Sequence, residues 1–184
     1  LNNAQASQGG LYTVTISNAV GGVVSSPVQL TVIAAMTIGE SMNAPYLVWN
    51  ADLGAPWIVQ TNVTHDGEAA AQSGNIGHSD LSWMETTVIG PGTVRFWWKV
   101  SSQTNADVLS FSVDGATWAQ CSGDMDWQRP SFAIPGGEVT LRWTYTKDGS
   151  GVAGADRGWV DEVDFVPATG PSVPVIVQEP EGQD

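Results

Sequence analysis

The chain has 184 residues, of which 19 are Asp or Glu and only 6 are Lys or Arg, so its formal charge at pH 7 is −13. This acidic balance argues against nucleic acid and anionic membranes as partners, because both need a basic protein face. With 21 Gly and 9 Trp, and with short Val/Thr/Ser-rich runs that show no helical period, the sequence predicts an all-β fold.

A single cysteine, Cys121, excludes a disulfide within the chain. We expect Cys121 to be an inert small residue, with an interchain disulfide as the alternative. No stretch is apolar enough to cross a bilayer. The chain opens with neither a signal peptide nor an initiator Met, which indicates a segment of a longer protein. Its low Lys and high Thr, Ser, Asn and Gly content is typical of a bacterial extracellular or cell-surface module.

Residues 1–33 contain two predicted strands, at 11–17 and 28–32, in which apolar and polar residues alternate. Turn-forming residues lie between them at 18–22. The pattern has Tyr-Thr-Val at 12–14, Ser-Asn-Ala at 17–19, Ser-Pro at 26–27 and Leu-Thr-Val at 30–32. It resembles the last two strands of bacterial immunoglobulin-like domains. The resemblance implies that residues 1–33 are the C-terminal half of such a domain.

The other end of the chain, at 174–183, resembles the opening strand of the same kind of immunoglobulin-like domain. We therefore expect residues 168–184 to be a linker and the first strand of a following domain. A tandem array sampled from mid-repeat to mid-repeat accounts for both ends, and its partners are neighbouring repeats or subunits. The alternative is strand donation between the two pieces or to a neighbouring chain. Residues 34–43 are predicted to form a linker.

Residues 44–167 are predicted to form the main domain, a two-sheet jelly-roll β-sandwich. Its predicted strands lie at 46–49, 56–60, 68–72, 82–88, 93–100, 107–113, 128–134, 139–146 and 158–165. Gly90-Pro91-Gly92 is predicted to be a turn between two of them. The strongest strand, at 93–100, places its apolar residues on one face and Arg95, Trp97 and Lys99 on the other.

The last predicted strand carries an acidic residue at a core position. Asp161 has the same parity as Trp159, Val163 and Phe165, so we expect it to face the core with them. A buried carboxylate needs a partner or a metal ion. Ca²⁺ suits the Gly-rich acidic loop just upstream, because it accepts six to eight oxygen ligands in flexible geometry. The predicted calcium ligands are Asp161, Asp66, Glu68, Asp148 and Asp156. The alternative is that Asp161 pairs with an arginine or accepts backbone N–H bonds.

Residues 158–163 resemble the closing strand of MAM-like and related bacterial jelly-roll modules, in which an aromatic and an aliphatic residue precede an Asp, a second acid and an aliphatic residue. The stretches at 70–74, 90–102, 126–128 and 143–148 resemble a repeat found in very large secreted or surface proteins of environmental bacteria. The resemblance covers roughly residues 65–166. It implies a jelly-roll fold, an extracellular setting and Ca²⁺ at Asp161, but no firm function.

Nine tryptophans are many for a chain of this length. Trp98, Trp143 and Trp159 have core parity and are predicted to pack inside. The predicted ligand-binding residues are Trp97, Trp127, Trp118 and Trp83. An exposed Trp among polar groups can stack on a sugar ring. Alternatively, these rings cover the opposite face or a junction between domains.

The signal for catalysis is poor, and we expect no enzyme. His65 and His78 are the only histidines, and neither accompanies a nucleophile elbow or has the paired spacing of a zinc site. Two functions follow as hypotheses. The first is a non-catalytic structural or adhesive repeat of a large extracellular or cell-surface bacterial protein, such as a filamentous one, that is stabilised by calcium. The second is a carbohydrate-binding module appended to a secreted enzyme or adhesin, with glycans as partners.

Overall fold

A computed structural model describes residues 8–31 and 35–168 of the chain. The chain divides into two compact units, Leu1–Met36 and Thr37–Asp184, which are described separately. Among the described residues, no helix has the length and apolar character needed to cross a membrane. The first strand of a following domain, predicted within 168–184, lies outside the described residues except for Ala168. The predicted domain boundaries stay predictions.

Where the structure describes the first unit, at residues 8–31 and 35–36, it contains four short strands that pair as two antiparallel ribbons. Strand β1 (Gly10–Tyr12) pairs with β4 (Val28–Leu30), and β2 (Thr15–Asn18) pairs with β3 (Gly21–Val24). The Asn18 side chain closes the inner turn, because its Oδ1 accepts hydrogen bonds from the amides of Val20 (2.8 Å) and Gly21 (3.1 Å). The sequence predicts two longer strands here. The structure divides the first into β1 and β2 and adds β3.

Nine strands build the described part of the second unit, residues 37–168. They are β5 (Trp49–Ala51), β6 (Ile58–Gln60), β7 (Ala70–Gln72), β8 (Leu81–Ser101), β9 (Val108–Val113), β10 (Ala116–Ser122), β11 (Asp124–Gln128), β12 (Ser131–Thr146) and β13 (Arg157–Pro167). Their order is β10-β9-β12-β8-β13-β7-β6, with β5 and β11 also paired to β8. A short 3-10 helix at Glu40–Met42 precedes them and buries Met42 in the core, although the sequence places Met42 in a linker.

The strands form two facing layers because β8 and β12 turn a corner together. The first half of β8 pairs with β5 and with the second half of β12, and its second half pairs with β11, β13 and the start of β12. At the corner, a side chain on Gly90 would collide with the Pro135 carbonyl oxygen, and the register of β12 shifts between Ile134 and Gly137. The prediction of two separate strands around Gly90-Pro91-Gly92 is therefore wrong, since one bent strand serves both layers.

Aromatic rings join the two layers in the core. The ring centroid of Phe96 lies 4.9 Å from that of Phe111 and 5.1 Å from that of Trp143. The alternation predicted for 93–100 is confirmed, because Val94, Phe96, Trp98 and Val100 are buried in the core while the residues between them are partly exposed. The all-β sandwich prediction is confirmed as well. Immunoglobulin-like character at the chain ends stays a prediction.

Candidate functional site

A β-bulge in β13 decides which way Asp161 faces. Asp161 pairs with Trp97 of β8 and Asp164 pairs with Arg95, so three residue steps along β13 span two along β8. Glu162 in the bulge has a φ of 46°. Before the bulge Val160 belongs to the core, and after it Val163 and Phe165 do. The prediction that Asp161 faces the core with Val163 is therefore wrong, because the extra residue inverts the parity.

Asp161 lies on the outer side of the sheet, opposite Trp97, and is still fully buried (0% exposed). One carboxylate oxygen accepts the amide N–H groups of His65 (2.7 Å) and Asp66 (3.4 Å), and the other accepts that of Glu162 (2.7 Å). Burial raises the pKa of Asp161, and the amide donors offset only part of this effect. Asp161 therefore anchors the loop at residues 61–68 to β13. These contacts match the alternative in which Asp161 accepts backbone N–H bonds.

The anchored loop places His65 over Trp97. The two ring centroids are 3.7 Å apart and the ring planes are nearly parallel, at 17°. Trp127 of β11 meets His65 edge-on at 5.9 Å and 73°. His65 Nδ1 also contacts Glu162 Oε2, while 29% of the His65 side chain stays exposed. Three rings from β8, β11 and the loop thus form one aromatic cluster on the outer face of the sheet.

Charged side chains border this cluster. Lys99 Nζ lies 2.7 Å from Asp126 Oδ1, and its hydrogen bond is the largest cause of the lowered pKa of Asp126. Arg95 and Asp164 approach each other more loosely, at 3.8 Å. The guanidinium carbon of Arg129 lies 5.7 Å from the centroid of the Trp97 ring. We define the Trp97 face as the three rings together with their charged border, which is formed by Arg95, Lys99, Asp126, Arg129, Glu162 and Asp164.

The other two predicted ligand-binding tryptophans lie elsewhere. Trp118 on β10 is 41% exposed and meets Phe132 edge-on at 6.0 Å. Trp83 on the first half of β8 is partly exposed and lies under Arg142, whose guanidinium carbon is 4.4 Å from the ring centroid. The structure therefore brings together Trp97 and Trp127 but not Trp118 or Trp83. Whether any of the four binds a ligand stays a prediction.

The predicted calcium ligands do not form one cluster. Asp66 accepts hydrogen bonds from the Glu68 amide (2.7 Å) and from Asn43 Nδ2 (3.3 Å), and Asp148 Oδ1 accepts one from the Ser150 amide (2.9 Å). Among residues 8–31 and 35–168, no group of three or more His, Cys, Asp or Glu side chains is arranged to hold a metal ion. Asp66 does lie beside Asp161, to whose Oδ2 it donates its amide N–H (3.4 Å). Calcium binding stays a prediction.

Asp156 instead belongs to a polar network at the end of the sandwich. Its carboxylate contacts the buried Lys147 Nζ and accepts a hydrogen bond from Tyr145 Oη (2.9 Å). Burial alone would raise the pKa of Asp156, but the hydrogen bonds from Lys147 and Tyr145 outweigh burial and the pKa is lowered. Asp107 lies in the same network, fully buried, with Oδ1 bonded to the Asp148 amide (3.0 Å). Asp156 and Lys147 thus form a largely buried ion pair, and Tyr145 donates a hydrogen bond to it.

No family model and no curated protein matches the chain. Among solved structures, the secreted serine protease VesC from Vibrio cholerae is similar with a TM-score of 0.51 and 12% identity, over 90% of this chain and 35% of the VesC chain. At such low identity the likeness shows the fold alone. The chain spans much less than two thirds of VesC, and the expectation of no enzyme stays a prediction.

Two carbohydrate-binding modules are also similar. The CBM22-1 xylan-binding domain of Xyn10C from Paenibacillus barcinonensis has a TM-score of 0.46 and 16% identity, over 72% of this chain and 92% of that domain. The C-terminal family 22 module of Xyn10B from Clostridium thermocellum has a TM-score of 0.48 and 11% identity, over 66% and 87%. With TM-scores below 0.5, neither carries an argument about this chain.

Sequence reasoning missed three members of the Trp97 face. The sequence suggests only a catalytic or a zinc-binding role to consider for His65, and it connects neither Glu162 nor Arg129 with Trp97. The loop carrying His65 and the bulge carrying Glu162 are almost a hundred residues apart in the chain but in direct contact. Strand parity identified Trp97, because parity is local, whereas no local signal connects His65 to it.

Proposed function

We propose that the Trp97 face binds carbohydrate, as the site of a non-catalytic binding module in an extracellular protein. The observation that carries the proposal is the set of three rings, His65, Trp97 and Trp127, on one partly exposed face bordered by charged side chains. Sugar rings have apolar C–H faces and hydroxyl edges. Aromatic rings can stack on the apolar C–H faces, and charged side chains can form hydrogen bonds with the hydroxyl groups.

The cluster suits a preorganised site. His65 is held through its backbone by Asp161 and through Nδ1 by Glu162, so its ring keeps its orientation without a ligand. Because His65 covers one face of Trp97, the rings offered to a sugar are the outer part of His65 and Trp127, with Trp97 as their support. This differs from the direct stacking on Trp97 that the sequence suggests.

Affinity electrophoresis against a panel of neutral and acidic polysaccharides tests the proposal, followed by calorimetry with oligosaccharides of each polymer that binds. Trp127→Ala should weaken binding about ten- to a hundredfold, since it removes the burial of a large ring. Trp118→Ala is the matched control, because it deletes an exposed Trp outside the face and should leave binding unchanged. Absence of binding to every glycan, or equal loss in both variants, would contradict the proposal.

A structural role in a repeat array is the second candidate, favoured by one feature of the first unit. Apolar side chains of its two ribbons are exposed, among them Leu11 (70%), Ile16 (67%), Val23 (66%) and Val28 (68%). Two-stranded ribbons are marginal in water without a further packing surface. In a longer segment that includes the preceding sequence, the Ile16 and Val23 amides should gain protection from hydrogen exchange. Equal protection in both lengths would count against a packing partner upstream.

A further inference from the structure

Arg129 differs from the other cationic side chains of the protein. It is exposed in the connection between β11 and β12, and its guanidinium lies beside the Trp97 ring. Within residues 8–31 and 35–168, the structure gives this guanidinium neither a carboxylate partner nor a hydrogen bond, so the ring is its contact. In a protein with 19 carboxylates, a guanidinium without one is available to an external anion.

The other five cationic side chains all have polar partners. The ion pairs are Arg95 with Asp164, Lys99 with Asp126, Arg142 with Glu85 and Lys147 with Asp156. Arg157 donates to the Asp156 carbonyl (2.7 Å) and to Asn75 Oδ1 (2.8 Å). Of the three cationic side chains that border the aromatic cluster, Arg95 and Lys99 are paired with carboxylates, whereas Arg129 has no polar partner among the described residues.

The chemistry of a guanidinium next to aromatic rings narrows the class of ligand. Arginine presents a planar fork of N–H donors that matches a carboxylate in two parallel hydrogen bonds. The rings of the Trp97 face would take the apolar face of a sugar. We propose that this face recognises uronic-acid residues of an acidic glycan, with Arg129 holding the sugar carboxylate. The proposal rests on the proposed carbohydrate-binding function and names its ligand class.

The overall charge of −13 opposes approach of an acidic polymer at long range. At physiological ionic strength the Debye length is about 8 Å, so distant carboxylates are largely screened while a contact pair is screened much less. The fixed carboxylates of the face are already neutralised in part by Arg95 and Lys99. The preference for an acidic ligand should therefore be measured at physiological salt, where contact chemistry dominates.

The experiment uses ligands that differ only in the carboxylate. Polygalacturonate, glucuronoxylan and alginate are each compared with their own carboxyl-reduced forms, alongside neutral glycans and a sulfated neutral glycan, for the native chain. Arg129→Gln is the test variant, because it keeps a hydrogen-bonding side chain and removes the charge. Arg142→Gln is the matched control, since Arg142 also lies beside a tryptophan ring but is outside the Trp97 face and already has a carboxylate partner, Glu85.

We expect at least one acidic polymer to bind about tenfold more tightly than its reduced form, a ratio typical of a gained charge-assisted contact. Arg129→Gln should abolish this ratio without weakening binding of the reduced form, and Arg142→Gln should preserve it. Three results would show that the uronate assignment is wrong while the proposed function stands. Glycans bind with no preference for the carboxylate, the sulfated neutral glycan binds as tightly as the acidic polymers, or Arg129→Gln keeps the ratio. If no glycan of any kind binds, the proposed function falls and the assignment with it.

Discussion

Asp161→Asn tests the role assigned to the buried carboxylate. Asp161 accepts three amide N–H groups with two oxygens. Asparagine keeps one oxygen and replaces the other by an NH₂ donor, so an amide of His65 or of Glu162 loses its acceptor. Leaving one buried N–H unsatisfied costs about 1–3 kcal/mol. For a domain of this size we expect the melting temperature to fall by about 4–12 °C.

Thermal melts with EDTA and with millimolar CaCl₂ provide the readout, with Asp164→Asn as the control. Asp164 lies on the same strand, but its side chain is 46% exposed, so its loss should change stability by less than about 0.5 kcal/mol. Asp161→Asn should be less stable than the native chain in EDTA as well as in calcium. Equal stability of the two in EDTA would refute this reasoning.

The same melts decide the calcium prediction. A ligand at a hundred times its Kd stabilises the native state by about 2.7 kcal/mol. A calcium-dependent rise in melting temperature that is absent in Asp161→Asn would establish the metal site predicted from the sequence. A calcium effect that persists in the variant would place the ion elsewhere.

Two further substitutions and one labelling experiment have definite expected outcomes. Asp156→Asn leaves the Lys147 ammonium buried without its counter-ion and should cost about 3 kcal/mol at pH 7. Because the folded-state pKa of Asp156 is lowered, the stability difference between the native chain and the variant should be complete above the unfolded-state pKa of about 3.9. It should vanish as the pH falls through the folded-state pKa. Urea unfolding measures this difference, and a difference that stays the same in acid would contradict the role of the ion pair. Burial raises the pKa of the Cys121 thiol to about 12, so a thiol-reactive disulfide reagent at pH 8 should label it slowly in the native state and quickly in denaturant. Immediate native labelling would show that it is accessible. Gly90→Ala should destabilise the chain by about 1–3 kcal/mol, because the new methyl meets a backbone carbonyl, whereas Gly136→Ala makes only ordinary contacts. Equal melting temperatures would exclude the tight corner.

Much of the candidate site follows from local patterning, but its central contacts do not. Parity on β8 places Trp97 on the outer face with Arg95 and Lys99, and the structure agrees. For the last strand, the same parity rule fails at Asp161, because the bulge at Glu162 adds one residue between the two halves of the strand. Side chains alternate between the two faces of a sheet only while the register of the strand is unbroken. A bulge shifts the register, and the sequence carries no clear signal of where this happens.

Local residue patterns are enough to predict the all-β class and the inward row of Val94, Phe96, Trp98 and Val100, since each depends on residue types a few positions apart. The burial of Asp161 has another origin, because the loop that carries His65 covers it on the outer side of the sheet. Tertiary structure alone decided that β8 continues through the corner at Gly90, that Asp161 lies on the outer side of the sheet, and that His65 covers Trp97. The physical reason is the distance along the chain. Alternation is set by neighbouring residues, whereas the corner, the orientation of Asp161 and the position of His65 come from contacts between segments tens of residues apart.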